Sequence, residues 1–138
     1  MQPYYEVSLI RPWHWGIAIL SAVDAAVPES LGESRVTSTS ECLVIQVRHA
    51  QDIEAAVFEG DWDWATAAVH LRSVPDFEEP TGTVLYEGLL ALPDGRLSVG
   101  DADSQVIVTD LPTQTRVRVQ TDDLAEYGVS AVQVDLAP

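Results

Sequence analysis

The sequence predicts an all-β fold: a two-layer antiparallel β-sandwich of about eight strands, built as one domain over residues 1–138. Three observations predict it. The stretch Thr83–Val119 reads as four short apolar runs. Turn chemistry separates them: Pro93-Asp94-Gly95, then Gly100-Asp101-Ala102-Asp103, then Asp110-Leu111-Pro112. Within the runs the apolar residues recur at period two. Leu97 and Val99 alternate with Arg96 and Ser98; Val106 and Val108 with Gln105, Ile107 and Thr109; Val117 and Val119 with Arg116, Arg118 and Gln120. Alternation between turn clusters, repeated about every eight to twelve residues, is the pattern of sandwiches and barrels. No long segment carries the 3.6-residue period of an amphipathic helix.

The elements follow in order. Tyr4–Ile10 reads as a first strand, with Tyr5, Val7 and Leu9 on one face, and Arg11-Pro12 is expected to break it. Trp13–Leu20 reads as a second strand, apolar on both faces and so central or covered, with Trp13, Trp15, Ile17 and Ile19 on one side. Ser21–Ser30 is Ala-rich until Pro28 and fits a helical turn or a loop. Leu31–Ser40 is small and polar, a loop or an edge strand. Glu41–Ala50 is a clear strand. Gln51–Gly60 fits a helical turn or a strand. Ala65–Arg72 is a strand with Ala67, Val69 and Leu71 on one face. Ser73–Gly82 holds two prolines and three acids and is a loop. Val84–Leu92 opens the organising stretch as a mostly apolar strand. Thr121–Tyr127 is an acidic loop or a helical turn, and Gly128–Leu136 closes the sheet.

Composition narrows the function. Hydrophobic content of 46% separates the chain from disordered acidic tails. Acids number 22 against seven bases, all of them arginine, for a formal charge of -15. Such a field repels nucleic acid and anionic membranes, and suits a basic partner, a metal ion or simple solubility. Cys42 is the sole cysteine, so no internal disulfide forms; flanked by Leu43, Val44 and Ile45, it reads as a buried core thiol. The first residues lack a positive region and an uninterrupted apolar core, and no apolar run reaches the ~20 residues of a membrane span. A cytoplasmic protein is expected.

Motifs of catalysis are absent: there is no GxSxG, GxGxxG, P-loop or HExxH. Cys42 and His49 fall on what reads as one strand, roughly 23 Å apart at ~3.3 Å per residue, too far for a nucleophile–base pair. His14, His49 and His70 lie on separate predicted strands, with no spacing that points to zinc. Asp101, Asp103 and Ser104 could offer oxygen ligands to calcium, but the rest of a calcium loop is missing, and Asp and Gly are what a hairpin turn uses. No cofactor is expected. Trp62 and Trp64 alternate with Asp61 and Asp63, and Asp76, Glu78 and Glu79 follow in the Ser73–Gly82 loop. Indoles are favoured interface anchors and carboxylates pair with basic partners; alternatively one indole fills the core and the acids are solvated.

Val84–Leu92, Pro93-Asp94-Gly95, Arg96–Val99, Val106–Val108 running into Asp110-Leu111-Pro112, Arg116–Val119 and Val129–Leu136 together resemble the competence nuclease-inhibitor J (ComJ-like) family, over roughly residues 64–136. Gln114 and Thr115 stand where that family's pattern leads one to look for a glycine and an aromatic. No functional residue carries over. The resemblance implies a sandwich fold and a binding role. The function expected of the chain, read as a bacterial protein, is that of a non-enzymatic, acidic protein-binding module, an inhibitor or immunity protein of a basic partner such as a nuclease or toxin. Its contacts would be Asp61, Trp62, Asp63, Trp64, Asp76, Glu78 and Glu79. The alternatives are a small-molecule- or divalent-metal-binding sandwich, and a subunit that pairs edge strands with copies of itself.

Overall fold

The computed structural model describes residues 6–28, 35–50, 65–122 and 129–138. These residues form strands and turns without a helix. The strands are β1 (Glu6–Pro12), β2 (Ile17–Ala22), β3 (Val36–Ser38), β4 (Cys42–Gln46), β5 (Thr66–Ser73), β6 (Thr83–Ala91), β7 (Leu97–Gly100), β8 (Gln105–Val108), β9 (Gln114–Thr121) and β10 (Ala131–Ala137). They build two five-stranded sheets: sheet A in the order β1-β5-β10-β9-β6, sheet B in the order β3-β4-β2-β7-β8. The all-β sandwich is as expected, with ten strands among the described residues. One pairing departs from the antiparallel plan: β10 inserts between β5 and β9 and runs parallel to β5. No helix among the described residues is long and apolar enough to cross a membrane.

Alternation makes the core. In sheet A, Ala67, Val69 and Leu71 of β5, Val117 and Val119 of β9, and Val132, Val134 and Leu136 of β10 are buried; in sheet B, Ala18 and Leu20, Leu43 and Ile45, and Leu97 and Val99 are buried. One row of sheet A runs Val7, Leu71, Val134, Val119 and Tyr86 in strict register. Burying a side chain of this kind contributes about 1.5–3 kcal/mol. The core therefore rests on many moderate terms rather than on one residue.

Several expectations are corrected. Arg11-Pro12 does not end the first strand: Pro12 pairs with Thr66. On an edge strand a missing N–H is harmless on the open side. Residues 13–16 are not part of the second strand but a turn closed by the Gly16 amide donating to the Trp13 carbonyl, 3.0 Å, with Gly16 at φ +69°. A turn sends neighbouring side chains in different directions, so Trp13 is fully buried and Trp15 is 61% exposed. The two indoles do not share a face. The strand read over Glu41–Ala50 stops at Gln46, so Cys42 and His49 do not lie on one strand. Val47 instead makes an isolated parallel bridge to Val129. Ser21 and Ala22 complete β2, and Val36–Ser38 is the edge strand anticipated within 31–40. The β6 strand carries an irregularity between Val84 and Tyr86. The segments Gln51–Gly60 and Asp61–Trp64, and residues 123–128, lie outside the described residues.

Candidate functional site

The outer face of sheet A carries a charged row that sequence alternation alone does not disclose. Register places Glu6, Arg72, Asp135, Arg118 and Glu87 side by side across all five strands. Their signs alternate. At the centre Asp135 is fully buried. It accepts from Arg72 through Nε at 3.0 Å and Nη2 at 3.2 Å, from Arg118 Nη2 at 3.4 Å and from Gln120 Nε2 at 3.3 Å. Gln133 adds its Nε2 to Oδ1 at 3.2 Å. Both oxygens of this buried carboxylate are thus satisfied by side-chain donors, as burial of a polar group requires.

This row holds down the acidic loop. Arg118 donates through Nη1 to the Glu78 carbonyl, 2.7 Å. Arg116 donates through Nη2 to Asp76 Oδ1, 3.0 Å. The Gln120 side-chain oxygen accepts from the backbone amides of Thr81 at 3.0 Å and Gly82 at 3.2 Å. The ring of Phe77 lies 4.8 Å from the Arg118 guanidinium carbon and 5.1 Å from that of Arg116, both cation–π contacts. Gly82 allows the close approach, since a Cβ there would sit 2.6 Å from the Thr121 carbonyl oxygen. The segment from residue 74 to 82 is thus a strap clamped on the sheet by three consecutive outward side chains of β9. The Asp76 carboxyl is held below its ordinary 3.8, first by the Arg116 hydrogen bond and then by the Phe77 amide.

Of the expected contact residues, Asp61, Trp62, Asp63 and Trp64 lie outside the described residues. Asp76, Glu78 and Glu79 sit together on the strap with exposed side chains. Asp76 is shared with Arg116. Among the described residues, no ion pair engages the carboxylates of Glu78 or Glu79. The arginines are spoken for throughout. Arg11 contacts Asp101, Arg72 and Arg118 contact Asp135, Arg96 contacts Asp94 and Arg116 contacts Asp76. Arg35 and Arg48 are engaged as well.

The other candidates resolve differently. Asp101 is buried, and both its carboxylate oxygens accept from Arg11 Nη2 at 2.9 Å. Oδ1 also accepts from the amides of Asp103 at 3.0 Å and Ser104 at 3.2 Å. This is a turn built around an aspartate whose charge an arginine balances. His70 Nδ1 is 2.7 Å from Ser8 Oγ on sheet A, whereas His14 is in the β1–β2 turn and the His49 ring packs against Gly16 of that turn. No three of the His, Cys, Asp and Glu side chains among the described residues come together to hold a metal ion. Cys42 is buried, and desolvation raises its thiol pKa.

No protein-family model matches this sequence, and no curated protein matches it. Solved structures do share the fold. The crystal structure of ComJ from Bacillus subtilis, inhibitor of the DNA degrading activity of NucA, superposes with a TM-score of 0.60 at 8% identity, over 99% of this chain and 95% of that one. A second, that of crocagin biosynthetic gene J, gives a TM-score of 0.57 at 14% identity, over 99% of both chains. The resemblance read in residues 64–136 therefore extends through the first half as well. At these identities the likeness is one of fold.

Proposed function

We propose that this chain is a non-enzymatic, acidic protein-binding module that inhibits, or gives immunity to, a basic protein such as a nuclease or toxin. One observation carries the reading: the structure spends its positive charge internally. Five of the seven arginines pair with carboxylates within the chain and Arg35 and Arg48 are engaged as well, while Glu78 and Glu79 stand exposed on a strap and the formal charge is -15. The net field presented outward is negative. Shared fold with an inhibitor of a nuclease supports the same reading.

The mechanism follows from electrostatics. Carboxylates at Asp76, Glu78 and Glu79 occupy the basic channel where a nuclease receives phosphates, and Asp61 and Asp63 add negative charge to the same encounter. Long-range attraction speeds encounter, and Trp62 and Trp64, as apolar anchors, slow release. The strap's clamping matters because a pre-ordered loop loses little entropy on binding.

The test is a low-salt pull-down with the whole chain, followed by binding and nuclease assays on what is retained. A basic protein that elutes with a modest salt step, and whose activity the chain suppresses, supports the proposal. Salt-insensitive capture removes its electrostatic part, and capture of no basic protein by the folded chain overturns it.

A further inference from the structure

The free edge of sheet B points to a second contact. Strand β8 ends the order β3-β4-β2-β7-β8, and no described residue pairs with its far side. The Asp101 amide donates to the Ser104 carbonyl, 3.0 Å. Hydrogen-bonded and non-bonded pairs alternate along an antiparallel ladder. From Asp101 and Ser104 onward, Val99 and Val106 are therefore bonded, whereas Gly100 with Gln105 and Ser98 with Ile107 are not. The backbone N–H and C=O of Gln105 and Ile107 are thus turned outward to the open edge. The side chains there are apolar: Val106 is 36% exposed and Ile107 is 44% exposed.

Sheet edges are normally guarded against strangers. The other three edges here carry such guards. β1 ends in Pro12 with Arg11 beside it, β3 is three residues long, and β6 has an irregularity in its register followed by Glu87 and Gly88. β8 has no proline, no charge and no bulge over Gln105–Val108. Exposed aspartates bracket it, Asp103 before and Asp110 after. Beside it, on the outer face of sheet B, lies a groove of about 350 Å³ whose lining includes Ile19, Val27, Ser98 and Gln105.

We infer that β8 is an interaction edge that takes an extended apolar segment flanked by arginine or lysine, added as a sixth, antiparallel strand of sheet B. Backbone hydrogen bonds from Gln105 and Ile107 supply the pairing. The basic flanks meet Asp103 and Asp110. A second copy of the chain is disfavoured as the occupant, since two molecules of charge -15 repel. The inference shares with the proposed function only the expectation of a basic partner, and its test uses no nuclease.

The probe is a capped peptide with a Val-Thr-Val-Thr-Val centre and two arginines at each end, added to the full chain and followed by amide hydrogen exchange. Protection of the Gln105 and Ile107 amides is expected. Ile107→Pro removes an outward N–H that the β7–β8 ladder does not use, so the fold is retained and binding weakens by about tenfold or more. Ile107→Lys, which guards the edge without touching the backbone, gives the same loss and serves if the proline variant does not fold. Protection elsewhere in the chain, or undiminished binding by either folded variant, overturns the inference. Protection that appears without peptide and grows with protein concentration assigns the edge to a second copy and also overturns it. Failure here leaves the nuclease reading intact, and the absence of a nuclease partner leaves the peptide result intact.

Discussion

Arg11 and Asp101 join the two sheets: the guanidinium of an edge strand in sheet A donates through Nη2 to both carboxylate oxygens of the β7–β8 turn, 2.9 Å each. Arg11 also lies over the ring of buried Trp13, 4.2 Å from its centroid. The aspartate side chain is fully buried and the arginine 21% exposed. Removing either partner leaves the other charge poorly solvated. Arg11→Ala is expected to cost about 3–5 kcal/mol, read by urea denaturation. Asp101→Ala should cost at least as much, because it also frees the amides of Asp103 and Ser104.

The same contact predicts the response to calcium. The Asp101 carboxylate is already saturated by an arginine and two amides. Millimolar calcium should leave the melting temperature of the wild-type chain unchanged. A rise would mean that the ion displaces Arg11, and would revive the metal-binding alternative.

Asp135 is the second buried charge. Asp135→Leu strands Arg72 and Arg118 together, with an expected loss of about 3–5 kcal/mol. Adding Arg118→Met to that variant removes one stranded cation and should recover part of the loss, although it also releases the strap carbonyl of Glu78. A double-mutant cycle in urea measures the coupling. Independent, additive effects would contradict the geometry.

The strap has its own signature. Phe77→Ala removes ring contacts with two guanidinium groups and is expected to loosen the loop by about 1–2 kcal/mol, seen as faster exchange of the Thr81 and Gly82 amides with little change in the core. For Asp76 the sign is clear. Its folded pKa lies below the unfolded value, so its contribution is present above the unfolded pKa and lost as pH falls through the folded one. Strap exchange referenced to the intrinsic rate should therefore be flat near neutral pH and rise only below about pH 4, earlier in high salt.

Cys42 gives a test of packing. Burial raises its thiol pKa and leaves no exposed sulfur, so a thiol reagent at mildly alkaline pH should react slowly with the native chain and promptly in urea. Rapid native labelling would show that β4 opens locally.

Period-two alternation between turn residues determined the all-β class, and it located β5, β7, β9 and the shared faces of Ala67, Val69 and Leu71, of Leu97 and Val99, and of Val117 and Val119. Those are local facts, because strand geometry alone puts every second residue on one side. The sequence also determined the excess of acid over base and the isolation of Cys42. Only the tertiary structure decided which strands are neighbours. Arg72, Arg118 and Asp135 are ordinary polar alternates within their own strands. They become one buried network because β10 enters between β5 and β9, and the loop that follows β5 covers the row. Arg11 lies 90 residues before Asp101, so nothing local announces that the two will meet. The turn at Trp13–Gly16 likewise separated two indoles that a continuous strand would have kept together. Alternation records the side of a sheet on which a residue lies; register and layer order decide what it meets there, and those depend on residues far away in the chain.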